Sequence, residues 1–367
     1  MDERTREHAE LLVDWSARVE PGDDVVVRFD AAAHDLAVAT AAALGERGAN
    51  MVAVNSSEEL RRAYQVAHDG EFDADPDHEL ALYENADVVL SLGGGRNTAA
   101  TADVPGDTER AYATARQGVR EARLDTRWVS TVHPTRSLAQ QAGMSYEAYR
   151  DFAYRAILRD WEALAGEMGR LKELLDAGSE VRIEKPGTAL TMRIDGRTAV
   201  NSAASVAYDS HNLPSGEVFT APYDTEGTVS FDVPITVRGR RLRDVVLTFE
   251  DGEVVDYDAV EGGDVVADLL ETDAGARRLG ELGVGMNRGI DRLTDNVLFD
   301  EKTGDTVHLA LGRAYDANLP EGESGNDSAI HVDLITDMSG EDGEATLSID
   351  GEVVQRNGRF RWEDSEG

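Results

Sequence analysis

The chain contains no cysteine among its 367 residues. That absence excludes disulfides, thiolate zinc sites, iron–sulfur clusters and thiol nucleophiles together. Any metal centre must therefore be assembled from His, Asp, Glu, Tyr or backbone oxygen. Lysine is almost as scarce, limited to Lys172, Lys185 and Lys302. No apolar run approaches the roughly 20 residues that cross a bilayer. The stretch from Met1 to Glu10 is charged and lacks the apolar core of a secretory signal. These absences predict a soluble, cytoplasmic protein with no membrane partner.

Acidic residues dominate what is present. Asp and Glu number 72 against 36 Lys and Arg, a net charge of −36. Such a surface repels phosphate backbones and anionic lipid headgroups, so no nucleic-acid partner is expected. Self-repulsion strains a fold of this charge in dilute buffer. At about 1 M salt the Debye length falls to about 3 Å and much of that strain is screened. High acidity with little lysine reads as a protein of a salt-accumulating, halophile-like cytoplasm. The 41% hydrophobic content suffices for a sizeable core, and the length suggests two domains.

The hydrophobic pattern divides the chain. Leu11, Leu12, Trp15 and Val19 fall at helical spacing. Pro21-Gly22-Asp23 then turns into a short buried strand at Val25-Val26-Val27. An Ala-rich helix over 31–48, strands at Met51–Val54, Val88–Leu90 and Trp128–Val132, and a long helical stretch over 145–176 complete the first part. Strands alternating with helices predict an α/β domain over residues 1–178, with a parallel sheet and flanking helices. From Gly178 the pattern changes to alternation. Asp195-Gly196, Asp251-Gly252 and Asp350-Gly351 stand between strand-like runs, as hairpin turns do. Residues 179–367 are therefore predicted as an α+β, mainly antiparallel domain, with one helix from Asp264 to about Leu279. The tail from Glu363 is expected to fray.

The glycine run Gly93-Gly94-Gly95 follows a strand but lacks the spacing of a phosphate cradle, and it reads as a tight turn. His133-Pro134 ends the next strand and reads as structural. The chemistry lies in the second part. In Ser328–Leu334, alternation puts Ile330, Val332 and Leu334 on one face and His331 with Asp333 on the other. In Val307–Gly312, His308 shares its face with Ala310 and Gly312, whose small side chains leave room. This pattern suits convergence on a metal ion; a hydrogen-bonded core His–Asp pair would explain it equally. Two glutamates tip the balance. Glu217 starts a strand after the turn Pro214-Ser215-Gly216, and Glu281 lies between glycines in an apolar loop. A carboxylate among Leu, Gly and Val is costly to bury unless it is paired or binds a cation. Three carboxylates and two imidazoles are what two divalent ions about 3.5 to 4 Å apart require, with one carboxylate bridging. Mixed N/O ligands suit zinc or cobalt, with manganese or magnesium as alternatives.

Asn-Leu-Pro-Ser-Gly-Glu-Val at 212–218, Gly-Glu-Leu-Gly-Val-Gly at 280–285, His-Leu-Ala-Leu-Gly at 308–312 and Ser-Ala-Ile-His-Val-Asp at 328–333 resemble the aminopeptidase T family of two-metal aminopeptidases. The opening Arg-Glu-His-Ala-Glu-Leu-Leu-Val at 6–13, with Pro-Gly-Asp at 21–23, also resembles that family. The resemblance implies a metal-dependent aminopeptidase that cleaves the N-terminal peptide bond of peptide substrates. It implies that Glu217, Glu281, His308, His331 and Asp333 bind the metal pair. It also implies a homodimer whose N-terminal domain helps enclose the site. Tyr315, seven residues after His308, matches a family tyrosine near the metals; by itself it would read as a core phenol. Two residues depart from the pattern: Val332 stands where an aromatic is expected, and Met286 where a small polar residue is expected. Val332 is expected to point away from the ligand face.

On this reading the metals activate a water. Glu217 or Glu281 bridges them, a carboxylate or the water itself takes the proton, and Tyr315 steadies the oxyanion or completes a metal shell. Both histidines must be neutral to ligate, so activity is expected to fall below about pH 6. Two competitors use other features. A two-metal phosphoesterase would need a phosphate anchor, for which Arg313 is the candidate. A nucleotide-binding regulatory protein would act through the N-terminal domain. The charge balance makes its own prediction: the melting temperature should rise from low to multimolar salt, and equal melting temperatures would refute the salt-adapted reading.

Overall fold

A computed structural model describes residues 2–237 and 240–363. It divides into two compact units, one of Met1–Arg159 with Ala204–Ser215, the other of Asp160–Ala203 with Gly216–Gly367. No helix among the described residues is long and apolar enough to cross a membrane.

The first unit is built on a parallel sheet with strand order Asn50–Asn55, Asp24–Phe29, Val88–Gly93, Arg127–Val132 and Asn212–Leu213. The valine runs predicted as strands form its centre: Val25, Val26, Val88, Val89 and Leu90 are all buried. Flanking helices cover the sheet. The first, Glu3–Leu11, widens into a π turn over Leu12–Ser16. The Ala-rich helix His34–Arg47 ends on Gly48 in the left-handed conformation, φ 78°. Gly94, φ 132°, turns the chain after Val88–Gly93; a Cβ there would lie 2.8 Å from the His133 carbonyl, so the glycine run is a close-packed turn.

The predicted long helix over 145–176 is two helices, Tyr146–Ile157 and Trp161–Ala177. Asp160 starts the second by accepting from the Ala163 amide at 3.0 Å. This second helix belongs to the second unit, so the expected domain boundary at residue 178 moves back to Arg159. Its partners explain why: Asn201 donates to the Ala165 carbonyl at 2.9 Å, and the Ala199 amide donates to Asp176 at 2.7 Å. The boundary is also not a single cut, because Ala204–Ser215 returns to the first unit and supplies its edge strand.

The second unit is mainly antiparallel. A nine-stranded sheet carries the hairpins Arg240–Glu250 with Glu253–Glu261 and Thr346–Ile349 with Glu352–Arg356. Both turn as expected, through Asp251-Gly252 (φ 52° and 77°) and Asp350-Gly351 (φ 50° and 81°). Asp195-Gly196 does not make a hairpin: strand Thr188–Arg193 pairs in the large sheet, whereas the next strand, Val200–Ser202, joins the other one. The predicted helix from Asp264 is shorter, Gly263–Leu270, with left-handed Gly262 at its cap. Asp273 then caps a separate 3₁₀ turn, Ala274–Arg277, because its carboxylate accepts from the Ala276 amide. Glu363 is held by Arg288 at 2.8 Å rather than frayed, and the remainder of that tail, residues 364–367, lies outside the described residues.

The other sheet of this unit has the order His331–Asp337, Thr306–Gly312, Leu279–Gly285, Glu217–Thr220 and Val200–Ser202. Two of its three inner strands, Leu279–Gly285 and Thr306–Gly312, are buried at every position. This sheet carries all five residues expected to bind metal.

The first unit contains its own titration probe. His8 is fully buried, with Nε2 2.8 Å from Thr131 Oγ1 and Nδ1 without a partner among the described residues. Burial, aided by the nearby His133 charge, pushes its pKa down to about 3. As pH falls below the ordinary value of 6.5, the unfolded chain takes up a proton that the folded chain refuses until about pH 3. The stability this neutral ring supplies is therefore complete above pH 6.5 and lost progressively towards pH 3, at about 1.4 kcal/mol per pH unit. Urea unfolding at pH 7 and pH 5 should show a smaller pH difference for His8→Gln than for the native chain; identical differences would contradict the assignment.

Candidate metal centre

Strand register brings the site together. Gly312 pairs with His331 and Ala310 with Asp333, while Ala310 also faces Glu281 and Gly283 faces His308. Glu281 is not in a loop, as its glycine neighbours suggest, but in the buried strand Leu279–Gly285. The glycines serve close packing: a Cβ on Gly283 would lie 2.0 Å from His308 Nε2, so only glycine lets that ring lie across the neighbouring strand. Glu217 opens its strand two residues after Ser215 and is 6% exposed.

Around Glu281 the groups fall on two sides. One carboxylate oxygen, Oε1, is 3.0 Å from His308 Nε2, and that ring is 3.6 Å from Glu217 Oε2. The other oxygen, Oε2, is 3.6 Å from His331 Nε2, which is itself 3.6 Å from Asp333 Oδ1. Ligand atoms of Glu281, His331 and Asp333 all lie within 4.8 Å of one another. Thus Glu217 with His308, and Asp333 with His331, flank one shared carboxylate.

Two observations fit this set to cations. Glu217 Oε2 and Asp333 Oδ1 are buried and have no hydrogen-bond partner among the described residues, an expensive state for a carboxylate oxygen without a positive neighbour. In addition, the His331 ring is oriented from behind: its Nδ1 lies 2.8 Å from the Arg313 carbonyl, so a proton on Nδ1 leaves Nε2 as the ligating atom. Mixed imidazole and carboxylate donors suit a borderline divalent ion.

Electrostatics support the same picture. Burial and the neighbouring carboxylates push the Glu281 carboxyl up, opposed by the His308 hydrogen bond. Burial acts to lower both imidazoles. It is outweighed at His308 by Glu281 and Glu217, which lift the pKa to about 10, and at His331 by Asp333 and Glu281, which lift it to about 9. Asp333 is driven upward by burial, but His331, His308 and Lys302 bring it down to about 2. Without cations, therefore, two imidazolium protons balance the buried carboxylates. The expected loss of activity below about pH 6 assumed ordinary imidazoles; the raised values move the competition between proton and cation to higher pH.

Tyr315 is half exposed, its ring centroid 4.8 Å from that of His331. Burial of the phenol and the charges of Glu281 and Asp333 push its pKa up, so it stays a neutral donor. Val332, expected to point away, lines a cavity together with His331 and Asp333. The Arg313 side chain is exposed and its carbonyl is what meets His331, so the anchor expected of a phosphoesterase is not formed there.

Two residues escaped the sequence reading. Lys302 is fully buried, 3.4 Å from Glu217 Oε1 and paired with Glu301. Burial opposes its charge, yet Glu217 and Glu301 hold its pKa above the ordinary value. The same burial pushes Glu301 up to about 8, against the pull of Lys302. Lysine scarcity was the available signal, since one of only three lysines stands six residues before His308.

Both imidazoles must lose a proton before they can ligate. Calorimetric titration of chelated protein with zinc at pH 7, in buffers of different ionisation enthalpy, should report release of about two protons per chain. No release would contradict ligation through these histidines.

Comparison with known proteins places these features in context. The family described as thermophilic metalloprotease (M29) matches residues 1–360. The chain is 27% identical to Aminopeptidase AmpS of Bacillus subtilis (strain 168) and 27% identical to Aminopeptidase T of Thermus aquaticus. Each match spans 96% of this chain and 97% of the relative. A closer but partial match, 36% identity to Aminopeptidase 2 of Geobacillus stearothermophilus, spans about half of each: 49% of this chain and 48% of that one. The solved structure "Wild-type AmpT from Thermus thermophilus" superposes with a TM-score of 0.84 at 26% identity, covering 98% of this chain and 99% of that one.

Proposed function

The chain belongs to the thermophilic metalloprotease family M29 and is a metalloaminopeptidase, and we propose that it cleaves the first peptide bond of peptide substrates at a centre of two divalent cations. The observation that carries the two-cation reading is Glu281, whose two oxygens face two different imidazoles, each with a further carboxylate beside it. We assign Glu217 and His308 to one cation, His331 and Asp333 to the other, and Glu281 to both. Zinc or cobalt fits these donors best, with manganese or magnesium as substitutes.

When bound, such a pair supplies Lewis acidity and lowers the pKa of water to about 7. The side chains do the rest. The substrate's free α-amine would be held at the centre by a cation or by a carboxylate, which would account for exopeptidase selectivity. Tyr315, held neutral beside His331, is placed to donate a hydrogen bond to the oxygen that gains charge on the scissile carbonyl. The Arg313 carbonyl keeps His331 in the ligating tautomer. Lys302 holds one oxygen of Glu217 and leaves the other for a cation. The reading extends to a homodimer working in a salt-rich cytoplasm, consistent with the net charge of −36.

Chelation should abolish hydrolysis of an aminoacyl 4-nitroanilide, and zinc, cobalt or manganese should restore it. Activity unchanged after complete metal removal would overturn the reading. Glu281→Gln should keep the native circular dichroism spectrum, bind fewer cations per chain and lose turnover by more than about 100-fold; retained activity would remove Glu281 from the centre.

A further inference from the structure

A cavity of about 270 Å³ opens beside the metal cluster, entirely within the second unit, and His331 and Asp333 line it. Apart from Thr236, its remaining walls are of two kinds. Ile235, Val297 and Ile335 are aliphatic, and Asp295, Asp300 and Glu301 are acidic. No lysine or arginine lines it among the described residues. Val332, standing between the two ligand residues, also lines it.

The acidic residues are fixed in place. Asp300 accepts from the amide and hydroxyl of Thr294, both at 2.8 Å, and from the Asn296 amide at 3.1 Å. Asp295 accepts from Thr236 Oγ1 at 3.3 Å, and Glu301 is paired with Lys302. Aliphatic walls beside the carboxylates of Asp295 and Asp300 attract a cation carried on an apolar stem.

We propose that this cavity receives the side chain of the substrate's N-terminal residue and selects a basic residue, lysine or arginine. The inference rests on the aminopeptidase reading, because it takes the scissile bond to lie at the cations. Aliphatic walls contact the methylene stem, while Asp295 and Asp300 meet the ammonium or guanidinium. Asp300 is largely removed from water, so its attraction persists in concentrated salt, where exposed charges are screened.

The test compares kcat/KM for 4-nitroanilides of lysine, norleucine and alanine on the zinc-loaded protein. Norleucine keeps the aliphatic stem without the charge. Lysine should exceed norleucine by roughly tenfold. Asp295→Asn should cut that ratio to about threefold or less; asparagine tolerates the left-handed backbone at this position, φ 54°. Val297 is 62% exposed, so Val297→Trp should fold normally while narrowing the cavity, lowering lysine and norleucine turnover relative to alanine. Alanine cleavage without a lysine preference, or ratios unmoved by both variants, would overturn the subsite and leave the aminopeptidase reading standing. Cleavage of none of the three substrates would overturn both.

Discussion

Negative charge buried at the middle of a β-sheet is the constraint around which the second unit is organised. Glu217, Glu281 and Asp333 sit where water cannot solvate them, and an uncompensated carboxylate in such a place costs several kcal/mol. Every unusual local choice nearby answers that demand. His308 and His331 hold protons far above the usual imidazole range when no cation is present. Lys302, a side chain that rarely tolerates full burial, is pinned between Glu217 and Glu301. Glycine at 283 gives up strand propensity so that an imidazole can cross the neighbouring strand. Binding and folding are thus one problem: the groups that would hold cations are the groups whose charges the fold must otherwise neutralise internally.

The same constraint explains the sheet's burial pattern. A strand with one face in water alternates polar and apolar residues, but Leu279–Gly285 and Thr306–Gly312 are buried throughout. Their polar members are there for chemistry rather than for solvation. Membership of the M29 family makes the chain a metalloprotease, and the imidazole and carboxylate donors on this sheet are of a kind that a borderline divalent ion takes.

Much of this was legible in the residues. Period-two alternation put His331 and Asp333 on one face, and the small residues Ala310 and Gly312 beside His308 pointed to a space for something other than side chain. The parallel sheet followed from valine runs separated by helical stretches. What escaped had physical causes. Glu281 read as a loop residue because glycines at 280, 283 and 285 lower strand propensity, whereas tertiary packing requires them. The helix break at residues 158–160 escaped because apolar spacing continues across it, and only the Asp160 cap marks the restart. Asp195-Gly196 carries the chemistry of a hairpin turn, but the strand after it pairs elsewhere. Lys302 escaped because its signal, one of only three lysines lying close before His308, does not by itself distinguish an enclosed lysine from a solvated one.

The return of Ala204–Ser215 to the first unit has a topological consequence. The backbone passes between the units three times, at Arg159–Asp160, Ala203–Ala204 and Ser215–Gly216. Breaking any one of these peptide links leaves the other two intact, so neither part can be released as a continuous fragment. A single crossover in the chain therefore cannot exchange the parallel-sheet unit for another while keeping the antiparallel unit whole.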